Sequence, residues 1–347
     1  MSMGNSKIIF IEDIKNDGLA QKIFKALDYF DLKSFSNKSV LIKLHMGEQG
    51  NKFYLKPPLI KLFVDALKVV NAEPFLFDTV VKYPGSRDTK EKYLNTAKRH
   101  GFDKLGCPVV IGNEGNPIKV DVNGVKYAFE VAKELCDAEY LLSVAHGKGH
   151  MMTGFGGSIK AFGMGGVSKE SKEFIHAAGA PILNDEKCRL CLACVESCKN
   201  DAIKRLGNRL EIDYTKCEGC ERCIRACPSG ALEWKEEEFD LMLAAAAKAC
   251  LDEFGPKNKP KKKIFVNVLL DISKRCDCAV HAGPLIAPDI GIVVSDDPVA
   301  IDAASIDLIE KAAGKSLEEI QQVDPRLHVK YAEKLGMGKT KYKLLII

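Results

Sequence analysis

Cysteine has the clearest chemical pattern in this chain, which holds thirteen cysteines among 347 residues. Eight of them fall into two runs of identical spacing, CxxCxxCxxxC, which begin at Cys188 and Cys217. The segments "CRLCLACVESCKNDAI" and "CEGCERCIRACPSGAL" align without a gap, so the chain contains an internal repeat. Thiolates at this spacing can surround a metal centre while the turns between them aim backbone N–H groups at the bound sulfur atoms.

This spacing is that of bacterial two-cluster ferredoxins, in which three cysteines of a run bind one 4Fe-4S cluster and the fourth binds the other. Two zinc sites would need only four cysteines each and would not explain the third CxxC step. We therefore predict two 4Fe-4S clusters and an iron–sulfur electron-transfer protein. The predicted ligands are Cys188, Cys191, Cys194 and Cys227 for the first cluster, and Cys217, Cys220, Cys223 and Cys198 for the second.

A second chemical group lies in "HGKGHMMTGFGGSIKAFG", residues 146–163, directly after an apolar strand-like run. The stretch matches neither GxxxxGK[ST] nor GxGxxG, so it carries no nucleotide fingerprint. Its glycines, including Gly154, Gly156 and Gly157, would let backbone N–H groups approach a ligand. Glycine turns and solvated or helix-capping histidines are the alternative interpretation. The candidate catalytic side chains are His146, His150 and Lys160 from this stretch, with His45, Asp78 and Asp297 from other predicted strand ends.

A third group is the CxCxxH sequence formed by Cys276, Cys278 and His281. Three interpretations of it stay open: an additional metal site, a redox-active or cluster-proximal thiol pair, and inert packing.

The elements that would position these residues follow from hydrophobic periodicity. Strand-like runs such as "SVLIKL" alternate with helical segments, which predicts an α/β fold with a mostly parallel layered sheet. The pattern stops near Gly179 and resumes at "KKKIFVNVLLDIS". We therefore predict one discontinuous α/β domain, residues 1–183 and 264–347. A two-cluster α+β ferredoxin-like insert over 184–236 would interrupt it, followed by a return helix and Lys-rich linker over 237–263.

Composition narrows the functional classes. Lys+Arg 51 against Asp+Glu 47 gives a net charge of +4, without the basic excess typical of nucleic-acid binders. No apolar run approaches the roughly 20 residues that span a bilayer, and no signal peptide is evident. The expectation is a cytoplasmic protein, where thiols stay reduced and cysteine clusters indicate metal. The oligomeric state is left open.

At these motifs the chain resembles the DUF362 family, in the variant with an inserted two-cluster ferredoxin module. The resemblance implies the fold, the clusters and a ligand pocket, and it implies no particular reaction. Two positions, Ala161 and Gly166, depart from the pattern of that variant, which has an amide and a cysteine there. The matching segments are "VLIKLHMGEQGN", "FLFDT" with Tyr83 and Arg87, "HGKGHMMTGFGGSIKAFGMGG" with Lys172 and His176, the eight cysteines, "NVLLDISKRCDC" and "DIGIVVSDDPVAIDAAS".

Two functions are compatible with these residues. The first is a ferredoxin-coupled redox protein, a candidate oxidoreductase, that acts on an unidentified small molecule or metal species at the His/Gly-rich stretch. In that case His146 or Lys160 would donate protons. The alternative is a non-catalytic electron relay or ligand-binding protein between redox partner proteins.

Overall fold

The computed structural model describes residues 5–12, 14, 18–214, 216–217, 219, 222–233, 236–255 and 261–347, with the backbone alone at 236 and 237. The strands are β1 (Ser6–Ile11), β2 (Ser39–Leu44), β3 (Glu73–Thr79), β4 (Val109–Gly112), β5 (Gly115–Val122), β6 (Val125–Ala132), β7 (Tyr140–His146), β8 (Lys148–His150), β9 (Gly154–Gly156), β10 (Ile182–Leu183), β11 (Ile203–Leu206), β12 (Arg209–Ile212), β13 (Leu232–Glu233), β14 (Lys262–Leu269), β15 (Gly291–Ser295) and β16 (Tyr342–Ile346). The helices are α1 (Leu19–Asp28), α2 (Pro57–Val69), α3 (Lys90–His100), α4 (Lys133–Asp137), α5 (Ser158–Gly163), α6 (Lys169–Ala178), α7 (Ala193–Ser197), α8 (Arg222–Ala226), α9 (Glu236–Asp252), α10 (Pro298–Ala313), α11 (Leu317–Gln321) and α12 (Leu327–Lys334).

Eight strands form one central sheet in the order β16-β1-β15-β14-β7-β2-β3-β4. Strand β15 runs antiparallel to β1 and β14, and every other neighbouring pair in this sheet is parallel. β15 is the exception because a loop, without a crossover helix, returns the chain from β14 to the adjacent position. The predicted mixed α/β fold with a mostly parallel sheet is confirmed.

The sheet has a hydrophobic core on each face because side chains alternate along every strand. In β1, Ile9 and Ile11 belong to one core while Ile8 and Phe10 belong to the other. Apolar side chains of α1, α2 and α3 complete the first core, and those of α5, α9 and α10 complete the second. Both faces are therefore covered, as the apolar strands require.

Helix α9 lies within the second core, in the segment predicted as the return helix. Its residues Ala244, Ala245, Ala246 and Ala247 are fully buried, and it packs against α5, α6 and α12. Small side chains let these helices approach closely. Much of the predicted Lys-rich linker, residues 256–260, falls outside the described residues. None of the described helices has the length and apolar character needed to cross a bilayer.

The cysteine-rich segment forms small elements outside the central sheet. Strand β10 pairs with β13, β11 pairs with β12, and the short helices α7 and α8 contact each other. Equivalent positions of the repeat share unusual backbone: φ is +52° at Leu190 and +63° at Gly219, and +51° at Asp201 and +61° at Gly230. The core of this segment is small and includes two of the cysteines. Its buried residues are Cys194, Ile203, Leu210, Cys223 and Leu232.

Candidate functional site

The main cavity of the molecule lies at the carboxyl ends of the adjacent parallel strands β14, β7, β2 and β3, where ligands bind in open α/β sheets. About 160 Å³ of it is accessible to the centres of water molecules. The cavity brings together most of the predicted site residues. Those that line it are His45, Asp78, His146, His150, Lys160, Gly156 and Gly157.

Two predicted residues lie elsewhere. Asp297 does not line the cavity, and its carboxylate is the N-cap of α10, accepting N–H groups of Val299 and Ala300 at 2.8 and 2.9 Å. Asp followed by Pro at the start of a helix is typical of an N-cap and first helical position. Gly154 is also absent from the cavity wall. It has φ +66°, begins β9 directly after the turn 151–153, and packs so closely against Pro325 that an added Cβ would lie 2.7 Å from its Cα.

His45, at the end of β2, is held by an arginine. Arg87 Nη1 lies 2.7 Å from His45 Nε2, and Arg87 Nε forms an ion pair of 2.9 Å with Glu48. Gly47 N–H donates to His45 Nδ1 at 3.0 Å. Burial and the Arg87 charge hold the pKa of His45 well below its usual value. His45 is therefore an uncharged side chain that lines the cavity in a fixed orientation.

Asp78 belongs to a buried ion pair. Lys43 Nζ donates to Asp78 Oδ1 at 2.8 Å, and the Tyr93 hydroxyl donates to Asp78 Oδ2. Although burial opposes it, the Lys43 charge and these hydrogen bonds hold the pKa of Asp78 below its usual value. Asp78 is thus a fixed anion that neutralises Lys43, and it is poorly suited to act as an acid.

His146, predicted as a proton donor, has no free ring nitrogen. Nδ1 lies 2.9 Å from Asp277 Oδ2, and Nε2 lies 2.6 Å from the carbonyl oxygen of Leu270. Lys148 Nζ contacts the other oxygen of Asp277 at 2.8 Å. Although burial opposes it, His146 and Lys148 hold the pKa of Asp277 far below its usual value. His146 and Lys148 therefore position the loop that carries Asp277.

Lys160 and Lys172 are two cavity residues whose pKa values lie near neutral pH. Burial lowers the pKa of Lys160 to about 8 and that of Lys172 to about 7. Lys172 Nζ donates to Thr79 Oγ1 at 2.7 Å and to the carbonyl of Val167 at 2.6 Å. No carboxylate of the described chain lies within ion-pair distance of either lysine. Of the predicted proton donors, Lys160 is the one with suitable chemistry.

The thiol pair lies in the wall of the same cavity, and Cys276 and Cys278 form a disulfide. Lys160 Nζ is 3.8 Å from Cys276 Sγ. A ring nitrogen of His150 and the two sulfurs lie within 4.8 Å of one another. His281 is exposed and does not belong to this group, so its predicted place is taken by His150.

Several cavity residues were not predicted as site residues from the sequence. A charged residue inside an apolar run, such as Lys43 in "SVLIKL", must find a buried partner, and that signal could have identified it. Asp277 lies between Cys276 and Cys278, which the sequence had already indicated as part of a possible site. For the rest, no local pattern marks the role, because their partners are remote in sequence. The additional lining residues with ionisable groups are Lys43, Lys82, Tyr83, Arg87, Lys172, His176 and Asp277.

The two positions that depart from the resembled pattern differ in their consequences. Ala161 lines the cavity, so an amide there would have added a polar group to its wall. Gly166 has no room for a side chain, because an added Cβ would lie 2.6 Å from Cys250 Sγ and 2.7 Å from the carbonyl of Phe162. A thiol is still present beside position 166, supplied by Cys250 from α9.

The cysteine-rich segment touches the cavity wall. Lys82, a lining residue, donates from Nζ to the carbonyl oxygen of Cys217 at 3.0 Å. An added Cβ on Gly219 would lie 2.7 Å from Cε of Met152, so the turn after Cys217 packs against the His/Gly-rich stretch. The second cysteine run therefore borders the cavity.

Four cysteines converge within the segment. Cys188, Cys191, Cys194 and Cys227 line one small second cavity, although Cys227 belongs to the other run. Hydrogen bonds to sulfur repeat at equivalent positions, since Ala202 N–H lies 3.4 Å from Cys198 Sγ and Ala231 N–H lies 3.3 Å from Cys227 Sγ. Cys198 packs against a small buried cluster formed by Ala180, Ala202 and Cys217. Cys220 lies outside the described residues.

Comparison with known proteins identifies the family. No curated protein matches the chain. The lactate racemase apoprotein from Thermoanaerobacterium thermosaccharolyticum is 15% identical with a TM-score of 0.36, over 77% of this chain and 51% of that one. A crystal structure of a Thermotoga maritima protein is 13% identical with a TM-score of 0.33, over 70% of this chain and 60% of that one. This chain thus spans about half and three fifths of these two structures. The family model "Domain of unknown function (DUF362)" matches residues 40–307, so the chain belongs to the DUF362 family.

Proposed function

We propose that this protein is an iron–sulfur electron-transfer protein whose cysteine-rich insert exchanges electrons with a small molecule bound in the main cavity. The observation that carries the proposal is the convergence of four cysteines from two separate runs, Cys188, Cys191, Cys194 and Cys227, on one small cavity. This crossed arrangement is the one expected for a cluster ligated by three cysteines of one run and the fourth of the other.

The surroundings of the cysteines fit iron–sulfur ligation. Each run offers a backbone N–H to the sulfur of its fourth cysteine, from Ala202 and from Ala231. Burial acts to raise the pKa of Cys227. Hydrogen bonds from Ser229, Ala231 and neighbouring amides outweigh this effect, so the pKa lies below its usual value. These donors favour the thiolate, which is the form that ligates metal. In this assignment the second cluster would be held by Cys217, Cys223 and Cys198, together with Cys220.

The position of the two runs supports a direction for electron flow. Cys191 of the first cysteine set is exposed, so a partner protein can reach that end of the insert. Cys217 of the second set is buried, and its carbonyl accepts the hydrogen bond from Lys82 of the cavity wall. A 4Fe-4S cluster stores and transfers single electrons. Electrons would therefore enter at the exposed end and leave beside the cavity.

The charges of the cavity favour an anionic ligand. Lys43, Lys82, Arg87, Lys160 and Lys172 line it, against two carboxylates. The carboxylates are already engaged, Asp78 with Lys43 and Asp277 with His146 and Lys148. Lys160 and Lys172 have no such partner in the described chain, which leaves their charge available to a bound anion.

The residues of the chain have separable roles in this proposal. Arg87, fixed by Glu48, and Lys172 would orient the anion. Lys160 would donate a proton to a ligand atom that gains electrons, since its pKa of about 8 keeps it mostly protonated at neutral pH while leaving it a competent acid. His45 and His146 would keep their neighbours in place without transferring protons.

The experiment is a single-turnover reoxidation. Protein purified and photoreduced without oxygen is followed by electron paramagnetic resonance while small oxyanions and carboxylic acids are added one at a time. We expect reoxidation that depends on one ligand, is lost in Lys160→Met and is retained in the surface control Lys61→Met. Ligand-independent electron exchange with a flavodoxin-type partner, unchanged by Lys160→Met, would favour the alternative of a non-catalytic relay.

A further inference from the structure

We propose that Cys276 and Cys278 form a redox-active disulfide in the main cavity, which opens to a dithiol when it receives two electrons from the insert. The inference rests on the proposed function for its electron supply alone. The disulfide bond and its place in the cavity wall are independent of that supply.

The two sulfurs have different surroundings, which assigns them different roles. Cys276 is 8% exposed, and its Sγ faces Lys160 Nζ at 3.8 Å and the N–H of Cys278 at 3.3 Å. Cys278 is half-buried and is the more accessible of the pair. A cation and a backbone donor both stabilise a thiolate. Cys276 is therefore the sulfur that holds the negative charge, and Cys278 is the one that a ligand can reach.

The chemical step balances with the groups present. Two electrons break the bond between the sulfurs. One proton from solvent converts Cys278 to a thiol, while Cys276 remains a thiolate beside Lys160. A disulfide takes up two electrons, and two clusters that each carry one electron hold that number together. The pair would thus convert single-electron supply into two-electron chemistry at the cavity.

The loop that carries the pair is anchored on both sides of the bond. Asn51 Nδ2 donates to the carbonyls of Cys276 and Ala279, at 3.4 and 2.7 Å, and the Tyr83 hydroxyl donates to the carbonyl of Cys278 at 3.1 Å. Asp277, between the cysteines, is held by His146 and Lys148. These contacts do not involve the sulfurs, so the thiols stay adjacent after reduction and can close again.

Ligation of a metal by Cys276, Cys278 and His150 is the competing use of this group. The N–H groups of Met152 and Thr153 donate to His150 Nδ1 at 3.3 and 3.2 Å, which leaves the ring proton on Nε2. With Nδ1 engaged by these N–H groups and the proton on Nε2, His150 offers a metal no free lone pair. The ammonium of Lys160 beside Cys276 also repels a cation. Both observations favour the redox pair.

The test counts thiols. Protein purified without oxygen is equilibrated in dithiothreitol buffers of graded ratio, quenched in acid, labelled with N-ethylmaleimide and analysed by peptide mass spectrometry. We expect no label on Cys276 and Cys278 in the oxidised protein and two labels after reduction, with a two-electron transition. Cys107 and Cys136, which are free, serve as internal controls and should be labelled in every sample. Full labelling of the pair in the oxidised protein, or a stoichiometric metal held by the pair in the native protein, would overturn the inference.

A second arm replaces the thiol buffer with a light-driven one-electron reductant and records the cluster signal in parallel. We expect the two labels to appear once the clusters are reduced. Reduced clusters with an unlabelled pair would refute electron supply from the insert and leave the proposed function intact. A protein without iron whose pair still titrates in dithiothreitol would refute the proposed function and retain the redox-active pair.

Toward the disulfide, Lys160 acts as a cation that stabilises the Cys276 thiolate, and this role has its own readout. In the reduced, native protein, Lys160→Met should slow alkylation of Cys276 by iodoacetamide on the order of tenfold, because the thiolate loses its cation. The surface control Lys61→Met should leave the rate unchanged. An unchanged rate in Lys160→Met, with an unchanged melting temperature, would contradict the assigned role.

Discussion

The α/β domain and the cysteine-rich segment, which we propose is an insert, are stabilised in different ways. The domain buries a hydrophobic core on each face of its sheet, and its buried charges are largely paired, as with Lys43–Asp78 and Arg87–Glu48. The core of the insert, by contrast, consists of a few residues, and two of these are cysteines. Small segments with so little apolar burial depend on disulfides or metals for their stability. We therefore expect the domain to fold without iron and the insert to require it.

Removal of iron should produce the largest effect. In protein stripped with a chelator and ferricyanide, backbone amides of residues 184–233 should lose hydrogen-exchange protection by orders of magnitude, while β2, β7 and β14 stay protected. Hydrogen exchange with mass spectrometry measures both regions in one sample. Equal loss of protection in both would mean that the two regions fold as one unit, and an unchanged insert would mean that iron does not stabilise it.

Breaking a buried ion pair should have the next largest effect and should act on the domain. Lys43→Met leaves Asp78 charged and buried, which should lower the free energy of unfolding by about 3–5 kcal/mol. The matched control is Lys61→Met, whose exposed pair with Asp65 on α2 should contribute only about 0.3–0.5 kcal/mol. Urea denaturation of both variants gives the comparison. Equal losses would contradict the view that the buried network stabilises the domain.

Much of this domain could be predicted from sequence, because its signals are local. The parallel strands and their polar carboxyl ends were readable from periodicity, and seven of the nine predicted catalytic and glycine residues line the cavity. The antiparallel direction of β15 was not, because it depends on a loop that returns beside β14. The hairpin of β5 and β6 was also missed, although "IKVDVNGVKYAFEV" alternates apolar and polar residues around an Asn-Gly turn, which is a local signal for a hairpin.

Side-chain roles were harder to predict than positions. His146 lies at the cavity as expected, yet its two ring nitrogens are engaged by Asp277 and Leu270, which come from a loop more than a hundred residues away. Asp297 has the right residue type but caps a helix. A sequence reveals which residues reach a strand end, whereas hydrogen-bond partners are set by tertiary structure. For the cysteine-rich segment, the spacing of the cysteines is the sequence feature on which the prediction of clusters rests.

Close packing between α9 and the loop after α5 should be sensitive to a single side chain. Gly166→Cys restores the residue of the resembled pattern, but its Cβ would meet Cys250 Sγ at 2.6 Å. We expect a loss of about 1–3 kcal/mol of unfolding free energy by urea denaturation. The double variant Gly166→Cys with Cys250→Ala should recover only part of this loss, because the carbonyl of Phe162 still lies 2.7 Å from the added Cβ. The control Gly18→Ala, where an added Cβ meets only Gln21 at 4.0 Å, should change stability by less than about 0.5 kcal/mol. No loss in Gly166→Cys would contradict the tight contact.

The smallest predicted effect concerns pH and the cavity charges. Lys160 and Lys172 lose their protons near pH 8 and pH 7, so affinity for sulfate, which stays ionised throughout, should fall as pH rises. Between pH 7 and pH 9 we expect roughly a tenfold loss from Lys160. Isothermal titration calorimetry should show that Lys160→Met removes the step near pH 8 and keeps the step near pH 7. An affinity independent of pH would argue against an anion site formed by these lysines.

The central claim is that the insert carries iron–sulfur clusters beside the cavity, and metal and sulfide analysis of protein purified without oxygen tests it most directly. The account predicts about eight iron and eight inorganic sulfide per chain, with a paramagnetic resonance signal of reduced 4Fe-4S clusters after photoreduction. Substitution of Cys194 by serine should lower the iron content, whereas substitution of Cys107 should leave it unchanged. Stoichiometric zinc without sulfide, or a fully folded insert without any metal, would contradict the account.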